Sequence, residues 1–75
     1  MNFDKEINTR GMNCPLPILR ARKALDEMVT GQVLKIESTD PGALKDMAAF
    51  SKQTGNDLIS SAEADGAFVF FLRKK

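Results

Sequence analysis

The chain has 75 residues, a formal net charge of +1, 43% hydrophobic residues, 28% charged residues and no histidine. This length and composition are typical of one globular domain, and we expect residues 1–75 to form it. A charge so close to zero provides no general attraction for nucleic acid or a membrane surface, so we expect neither direct nucleic-acid binding nor membrane association. A single cysteine excludes an internal disulfide and a zinc site, and we expect no metal and no cofactor.

The cellular location is predicted from what the sequence lacks. The segment from Met1 to Glu6 does not have the layout of a signal peptide, and no apolar run approaches the ~20 residues of a membrane span. A free thiol is kept most easily in a reducing compartment. We therefore expect a cytoplasmic protein, and we expect it to be a monomer.

Hydrophobic periodicity predicts a strand and a helix in the first part of the chain. Weak alternation indicates a strand from Phe3 to Thr9, followed by a turn over residues 10–13. A helical period then extends from Pro15 to about Val29, and Gly31 marks its end. The predicted inward stripe of this helix consists of Ile18, Ala21, Leu25, Met28 and Val29.

A second strand and a second helix follow. Residues 33–38 alternate, with Leu34 and Ile36 on the buried side of the predicted strand. Asp40 suits the N-cap of the next helix and Pro41 its first position, while Gly55-Asn56 ends it. The predicted inward stripe of this helix consists of Leu44, Met47, Ala48 and Ser51, with Phe50 at the margin.

The sequence of the last part of the chain predicts a β-hairpin. Residues 58–64 and 67–73 are predicted strands, and Asp65-Gly66 between them indicates a two-residue primed turn. Phe68, Phe70 and Leu72 share one face of the last strand. Because a strand–helix–strand unit favours parallel pairing, the order β-α-β-α-β-β predicts an α/β two-layer sandwich. Its mixed four-stranded sheet carries both helices on one face.

Cys14 is the main candidate for chemistry. It directly precedes Pro15-Leu16-Pro17 at the predicted start of the first helix. Since proline suits the first helical position, Pro15 is predicted there and Cys14 at the N-cap. Amide donors and the positive end of the helix dipole would then lower the thiol pKa from about 8.5.

The absence of other residues narrows the possible chemistry of Cys14. A hydrolytic cysteine enzyme needs a base, normally histidine, and a dithiol oxidoreductase needs a second cysteine. The chain has neither. A lone thiolate can still accept a sulfane sulfur as a persulfide and surrender it to another thiol. The alternative that stays open is a non-catalytic regulatory or RNA- or protein-binding module, in which Cys14 is a buried structural residue.

Residues near Cys14 in sequence are candidates for a supporting role. Pro15 and Pro17 stiffen the chain beside the thiol, and Gly11 can adopt backbone conformations that other residues resist. Basic residues close by could steer an acidic partner, although a solvated helix face explains them equally well. The candidate docking residues are Arg10, Leu16, Arg20, Arg22 and Lys23.

The segment Gly11-Met12-Asn13-Cys14-Pro15-Leu16-Pro17, with Arg22-Lys23-Ala24-Leu25, Gly31 and Asp40-Pro41, resembles the TusA (SirA-like) sulfur-carrier family over essentially the whole chain. The resemblance implies a two-layer α/β sandwich similar to the C-terminal domain of translation initiation factor 3. It also implies a sulfurtransferase-type persulfide carrier with transferase character, in which Cys14 bears the sulfur and Gly11, Pro15 and Pro17 complete the motif.

The same resemblance implies the kinds of partner. A cysteine desulfurase or a rhodanese would donate the sulfur, and a DsrE-like or other thiol acceptor protein would receive it. The pathways served in the family are tRNA thiolation, molybdenum-cofactor assembly and oxidative sulfur metabolism.

Overall fold

The computed structural model describes residues 2–13 and 15–75. Its elements are β1 (Lys5–Thr9), α1 (Leu16–Asp26), β2 (Val33–Ser38), α2 (Ala43–Thr54), β3 (Asp57–Ala64) and β4 (Ala67–Arg73). The predicted α/β class and element order are confirmed. Within this part of the chain, neither helix has the length and apolar content needed to cross a membrane.

The four strands form one mixed sheet in the order β1-β2-β4-β3. β1 and β2 are parallel and are connected through α1, whereas β4 is antiparallel to both of its neighbours. The hairpin between β3 and β4 turns at Asp65 and Gly66, whose φ angles of 53° and 78° are both positive, as in a type I′ turn. The predicted turn is therefore confirmed.

The core lies between the helices and one face of the sheet. Leu34 pairs with Leu72 and Ile36 with Phe70 across β2 and β4, and all four side chains are 0% exposed. Buried residues of both helices belong to the same cluster. Both helices therefore cover a single face, and the alternation in β2 and in β4 from Phe68 onward leaves side chains on the other face only partly covered.

The C-terminal end of α1 differs from the prediction. The helix ends at Asp26, so Val29 no longer follows its periodicity and is 65% exposed instead of lying on the inward stripe. Ala24 and Pro17 are buried in addition to the predicted stripe. Gly31, with φ +92°, lies in the loop before β2 and does not end the helix.

The buried face of α2 is rotated relative to the prediction. Ala43, Met47 and Phe50 point into the core, whereas Leu44 is 43% exposed and Ala48 is also exposed. Phe50 is therefore a core residue and not a marginal one. The physical reason is area, because a phenylalanine removes more apolar surface from water than a leucine does, and small Ala43 lets the helix approach the sheet.

The start of α2 also differs from the prediction. Gly42, and not Asp40, is the N-cap, and Ala43 is the first helical residue. Asp40 accepts hydrogen bonds from the Gly42 N–H at 3.0 Å through Oδ1 and from the Ala43 N–H at 3.0 Å through its carbonyl. Asp40 and Pro41 thus form a turn that leads into the helix. Gly55, in the left-handed conformation, ends it as predicted.

Candidate functional site

Cys14 lies outside the described residues, so the site is defined by the residues on either side of it. α1 begins at Leu16, with Pro15 at its N-cap. The prediction that Pro15 takes the first helical position is therefore wrong by one residue. The prediction that Cys14 is the N-cap concerns a residue that is not described. The shift follows from a tight turn before the helix, in which the Leu16 N–H donates to the Asn13 carbonyl at 2.9 Å.

The first turn of α1 offers fewer amide donors than most helices. Pro15 and Pro17 have no N–H group, and the Leu16 N–H already has a partner in Asn13. Donors that would normally face an anion at a helix start are thus partly missing. The lowered pKa of Cys14 stays a prediction.

Pro17 fixes the start of α1 against the core. Its ring is almost completely buried, and it occupies the second helical position, where a missing N–H costs nothing. Leu16, one residue earlier, is exposed. The two prolines therefore differ in surroundings, since Pro15 is exposed while Pro17 anchors the helix.

The loop before Asn13 is tied to the end of β2. The Met12 N–H donates to the Thr9 carbonyl at 3.1 Å, and Gly11 between them has φ +80°. The Gly11 N–H donates to Thr39 Oγ1 at 2.9 Å. Thr9 is fully buried, and its hydroxyl donates to the Glu37 carbonyl. The predicted need for glycine at position 11 thus has a backbone reason, because other residues would be strained at this φ.

Arg10 is held by an ion pair. Its Nε lies 3.0 Å from Glu37 Oε2, and the Glu37 side chain is largely covered. The Arg10 N–H also donates to Asn8 Oδ1 at 2.9 Å. Arg10 therefore lies against the end of the sheet, and its docking role stays a prediction.

The other candidate cations lie on two flanks of α1. Arg20 and Lys23 face β1, where they line a depression of ≈ 160 Å³ together with Lys5. Arg22 faces α2, and its guanidinium carbon lies 5.5 Å from the centre of the Phe50 ring. The structure thus does not bring the predicted basic residues into one patch. Leu16 and Leu19 are exposed on the outer surface of the helix.

A crevice between α1 and α2 was not expected from the sequence. Pro15, Ile18 and Arg22 of the α1 side face α2 across a depression of ≈ 200 Å³. Asp46 and Phe50 belong to the opposite wall. No local pattern indicates this feature, because it depends on how the two helices pack against the sheet.

The fold and the site define a small two-layer α/β protein whose only thiol precedes a proline-flanked helix start. The family model described as Sulfurtransferase TusA matches residues 5–74. The chain therefore belongs to the TusA family, and the resemblance noted in the sequence is confirmed.

Relatives of nearly the same length support this assignment. The chain is 55% identical over 73 residues to the sulfur carrier protein TusA of Allochromatium vinosum, covering 97% of this chain and 96% of that protein. It is 38% identical to a putative sulfur carrier protein, YrkI, of Bacillus subtilis, covering 99% of both chains. A crystal structure of a SirA-like protein from Desulfitobacterium hafniense has the same fold, with a TM-score of 0.84 at 24% identity over 93% of this chain and 96% of the other.

Proposed function

We propose that this chain carries sulfur as a persulfide on Cys14, between a donor enzyme and an acceptor protein. The observation that carries the proposal is the setting of its only cysteine, directly before Pro15-Leu16-Pro17 in a chain without histidine. The 55% identical relative named as a sulfur carrier supports the same role. Since members of the family relay sulfur, partners that donate and accept it are required in general.

The proposed chemistry consists of two displacements at sulfur. The Cys14 thiolate attacks the outer sulfur of a donor persulfide, a new S–S bond forms on Cys14, and the donor leaves as a thiolate. An acceptor thiolate then attacks the outer sulfur of the Cys14 persulfide, and Cys14 leaves as a thiolate. No net oxidation occurs, and no histidine is needed to activate the leaving group, because a thiolate leaves readily.

Several described residues suit a carrier that must expose its thiol briefly to larger enzymes. The loop at Gly11 and the buried Pro17 restrict the backbone on both sides of position 14. The exposed side chains of Leu16 and Leu19 offer an apolar rim for contact. Because each partner must leave after transfer, docking should be weak and assisted by charge.

The donor, acceptor and location complete the proposal. We infer that a cysteine desulfurase or rhodanese loads Cys14, and that a DsrE-like or other thiol protein unloads it for tRNA thiolation, molybdenum-cofactor assembly or oxidative sulfur metabolism. The carrier would act as one domain and as a monomer in the reducing cytoplasm, where a free thiol persists.

Intact-mass measurement tests this function. The protein is incubated with a cysteine desulfurase and cysteine, or with a rhodanese and thiosulfate, and compared with Cys14→Ser. We expect a gain of one sulfur atom that reduction removes and that the variant lacks. No adduct, under conditions that load a known carrier, would contradict the proposal and favour the binding-module alternative.

A further inference from the structure

We propose that the crevice between α1 and α2 receives an extended acidic segment of a partner protein whose cysteine reacts with Cys14. This inference rests on the proposed carrier function and adds the chemistry of the partner. The α1–α2 crevice is formed by two adjoining depressions that share Arg22 and Phe50. One of them has a volume of ≈ 200 Å³ and the other a volume of ≈ 390 Å³.

The crevice runs along α1 away from the thiol. The smaller depression touches Pro15 and Ile18, and the larger one touches Leu25 and Asp26. With a rise of 1.5 Å per helical residue, the distance along the helix from Pro15 to Asp26 is about 16 Å. One end of the crevice is therefore next to Cys14 in the chain, and the other end is some three helical turns away.

The end of the crevice away from Cys14 is basic, and its cations are not engaged in ion pairs within the described residues. Arg22, Lys74 and Lys75 line the larger depression, against a single acidic residue, Asp26. In residues 2–13 and 15–75, none of these three cations has a carboxylate within 4.0 Å. By contrast, the four cations that form ion pairs in the described part of the chain all belong to strands or directly follow one. The side chains of Arg22, Lys74 and Lys75 can therefore form ion pairs with acidic groups of a partner protein.

The basic end is held in place by backbone contacts. The Lys75 N–H donates to Asn56 Oδ1 at 2.9 Å, and the Lys74 N–H donates to the Gln32 carbonyl at 2.8 Å. The Lys75 side chain lies so close to Gly55 that a Cβ there would come within 2.8 Å of Lys75 Cδ. Because the main chain of both lysines is already fixed, only their side chains have to be ordered when a ligand binds.

The end near Cys14 has a different character. Pro15, Ile18 and Ala49 make it largely apolar. Among the residues that the structure describes, Asp46 is its only acidic lining residue and Arg22 its only basic one. A nucleic acid, which is charged along its whole length, would meet too few cations here. A polypeptide that is apolar beside its reactive cysteine and acidic further along fits both ends.

The length of the crevice sets the spacing in the partner. An extended chain advances about 3.3 Å per residue, so about 16 Å corresponds to about five residues. The acidic residues of the partner should therefore lie about five residues from its reacting cysteine. Acidic residues directly beside that cysteine would contact the apolar end and contribute little to the binding free energy.

Synthetic peptides of identical composition test the spacing. Each carries one cysteine, activated as a mixed disulfide with a chromogenic aryl thiol, and a run of aspartates placed either about five residues away or adjacent. The Cys14 thiolate attacks the peptide sulfur and releases the aryl thiolate, whose absorbance gives the rate at low ionic strength. Two double variants are compared with the wild type. One combines Lys74→Gln with Lys75→Gln. The matched control combines Lys45→Gln with Lys52→Gln, which removes the same number of positive charges from exposed positions of α2 outside the crevice.

For the wild-type protein we expect the spaced peptide to react about threefold to tenfold faster than the adjacent one, as weak ion pairs allow. The Lys74/Lys75 variant should lose most of this advantage and the Lys45/Lys52 control should keep it. Equal rates for the two peptides, or an equal loss of the rate advantage in the two variants, would overturn the inference. It would also be overturned if oligothymidylate slowed the reaction of the spaced peptide as strongly as the free acidic peptide does.

Two further measurements separate this inference from the carrier function. An uncharged small disulfide should react with Cys14 at the same rate in all variants, because their thiol is unchanged. Loading of the wild-type protein by inorganic polysulfide requires no docking. Failure of that loading would contradict the carrier function, whereas normal loading without a spacing effect would contradict only the docking inference.

Discussion

The rotation of α2 can be tested with one substitution made at two positions. Ala43 is 1% exposed and faces the core, whereas Ala48, which the sequence pattern places inward, is exposed. Ala43→Gln adds a long amide to a packed site. Overpacking costs about 1–3 kcal/mol, and an amide left without partners costs about 1–3 kcal/mol more. We therefore expect a loss of about 2–4 kcal/mol after partial relaxation.

Ala48→Gln is the matched control on the same helix. Glutamine and alanine are both good helix formers, so this variant should stay within about 0.5 kcal/mol of the wild type. Because the chain has no tryptophan or tyrosine, unfolding is best followed by far-UV circular dichroism in urea and by heating. About 2 kcal/mol corresponds to a fall in Tm of roughly 10 °C for a domain of this size. A greater loss for Ala48→Gln than for Ala43→Gln would refute the described packing of α2.

Three further predictions concern single residues. Gly55→Ala should lower the free energy of unfolding by about 1–2 kcal/mol in urea, because Gly55 has φ +79°; unchanged stability would contradict its left-handed conformation. The hydrogen bond and the charge of Lys5 lower the pKa of Glu27 from its usual 4.5, so this pair stabilises the protein above that pH, and its contribution disappears as the pH falls through the lowered pKa. Lys5→Ala should therefore reduce the acid-side loss of Tm between about pH 6 and pH 2, and an unchanged slope would argue against the pair. Alkylation of Cys14 by iodoacetamide should have a midpoint below about 8.5, and a midpoint at or above that value would remove the electrostatic role of the helix start.

The two central strands could be predicted best because their patterns are local, whereas β1 begins at Lys5 and not at Phe3, and β3 begins at Asp57 and not at Leu58. β2 and β4 alternate between apolar and polar or partly covered positions, and the Asp65-Gly66 turn permits one tight connection. Their bounds follow from the sequence to the residue. The buried faces of Leu34, Ile36 and Phe70 were predictable for the same reason.

The buried faces of the helices were predicted less well, because the apolar residues of each helix are compatible with more than one buried face. In α2, a stripe through Leu44 and a stripe through Phe50 both include Met47, and only packing against the sheet selects the second. In α1, Val29 fits the helical period, but the helix has already ended at Asp26. Local periodicity cannot decide such cases, since the free energy that decides them comes from tertiary burial.

The site shows the same division between local and long-range information. The positive φ of Gly11 and the helix after Pro15 could be expected from residue type. The ion pair between Arg10 and Glu37 depends on the pairing of β1 with β2, which joins residues 27 positions apart. The α1–α2 crevice likewise depends on the placement of both helices on one face, so no motif could have indicated it.

The proposed carrier function is tested most directly by following one sulfur atom through Cys14. The protein is loaded by a cysteine desulfurase with isotopically labelled cysteine, the labelled residue is mapped by peptide mass spectrometry, and the loaded protein is then mixed with an acceptor thiol protein. We expect one labelled sulfur per chain, located on Cys14, and its transfer to the acceptor. Label found on another residue, or label that stays on Cys14 while the acceptor gains sulfur, would contradict the carrier function.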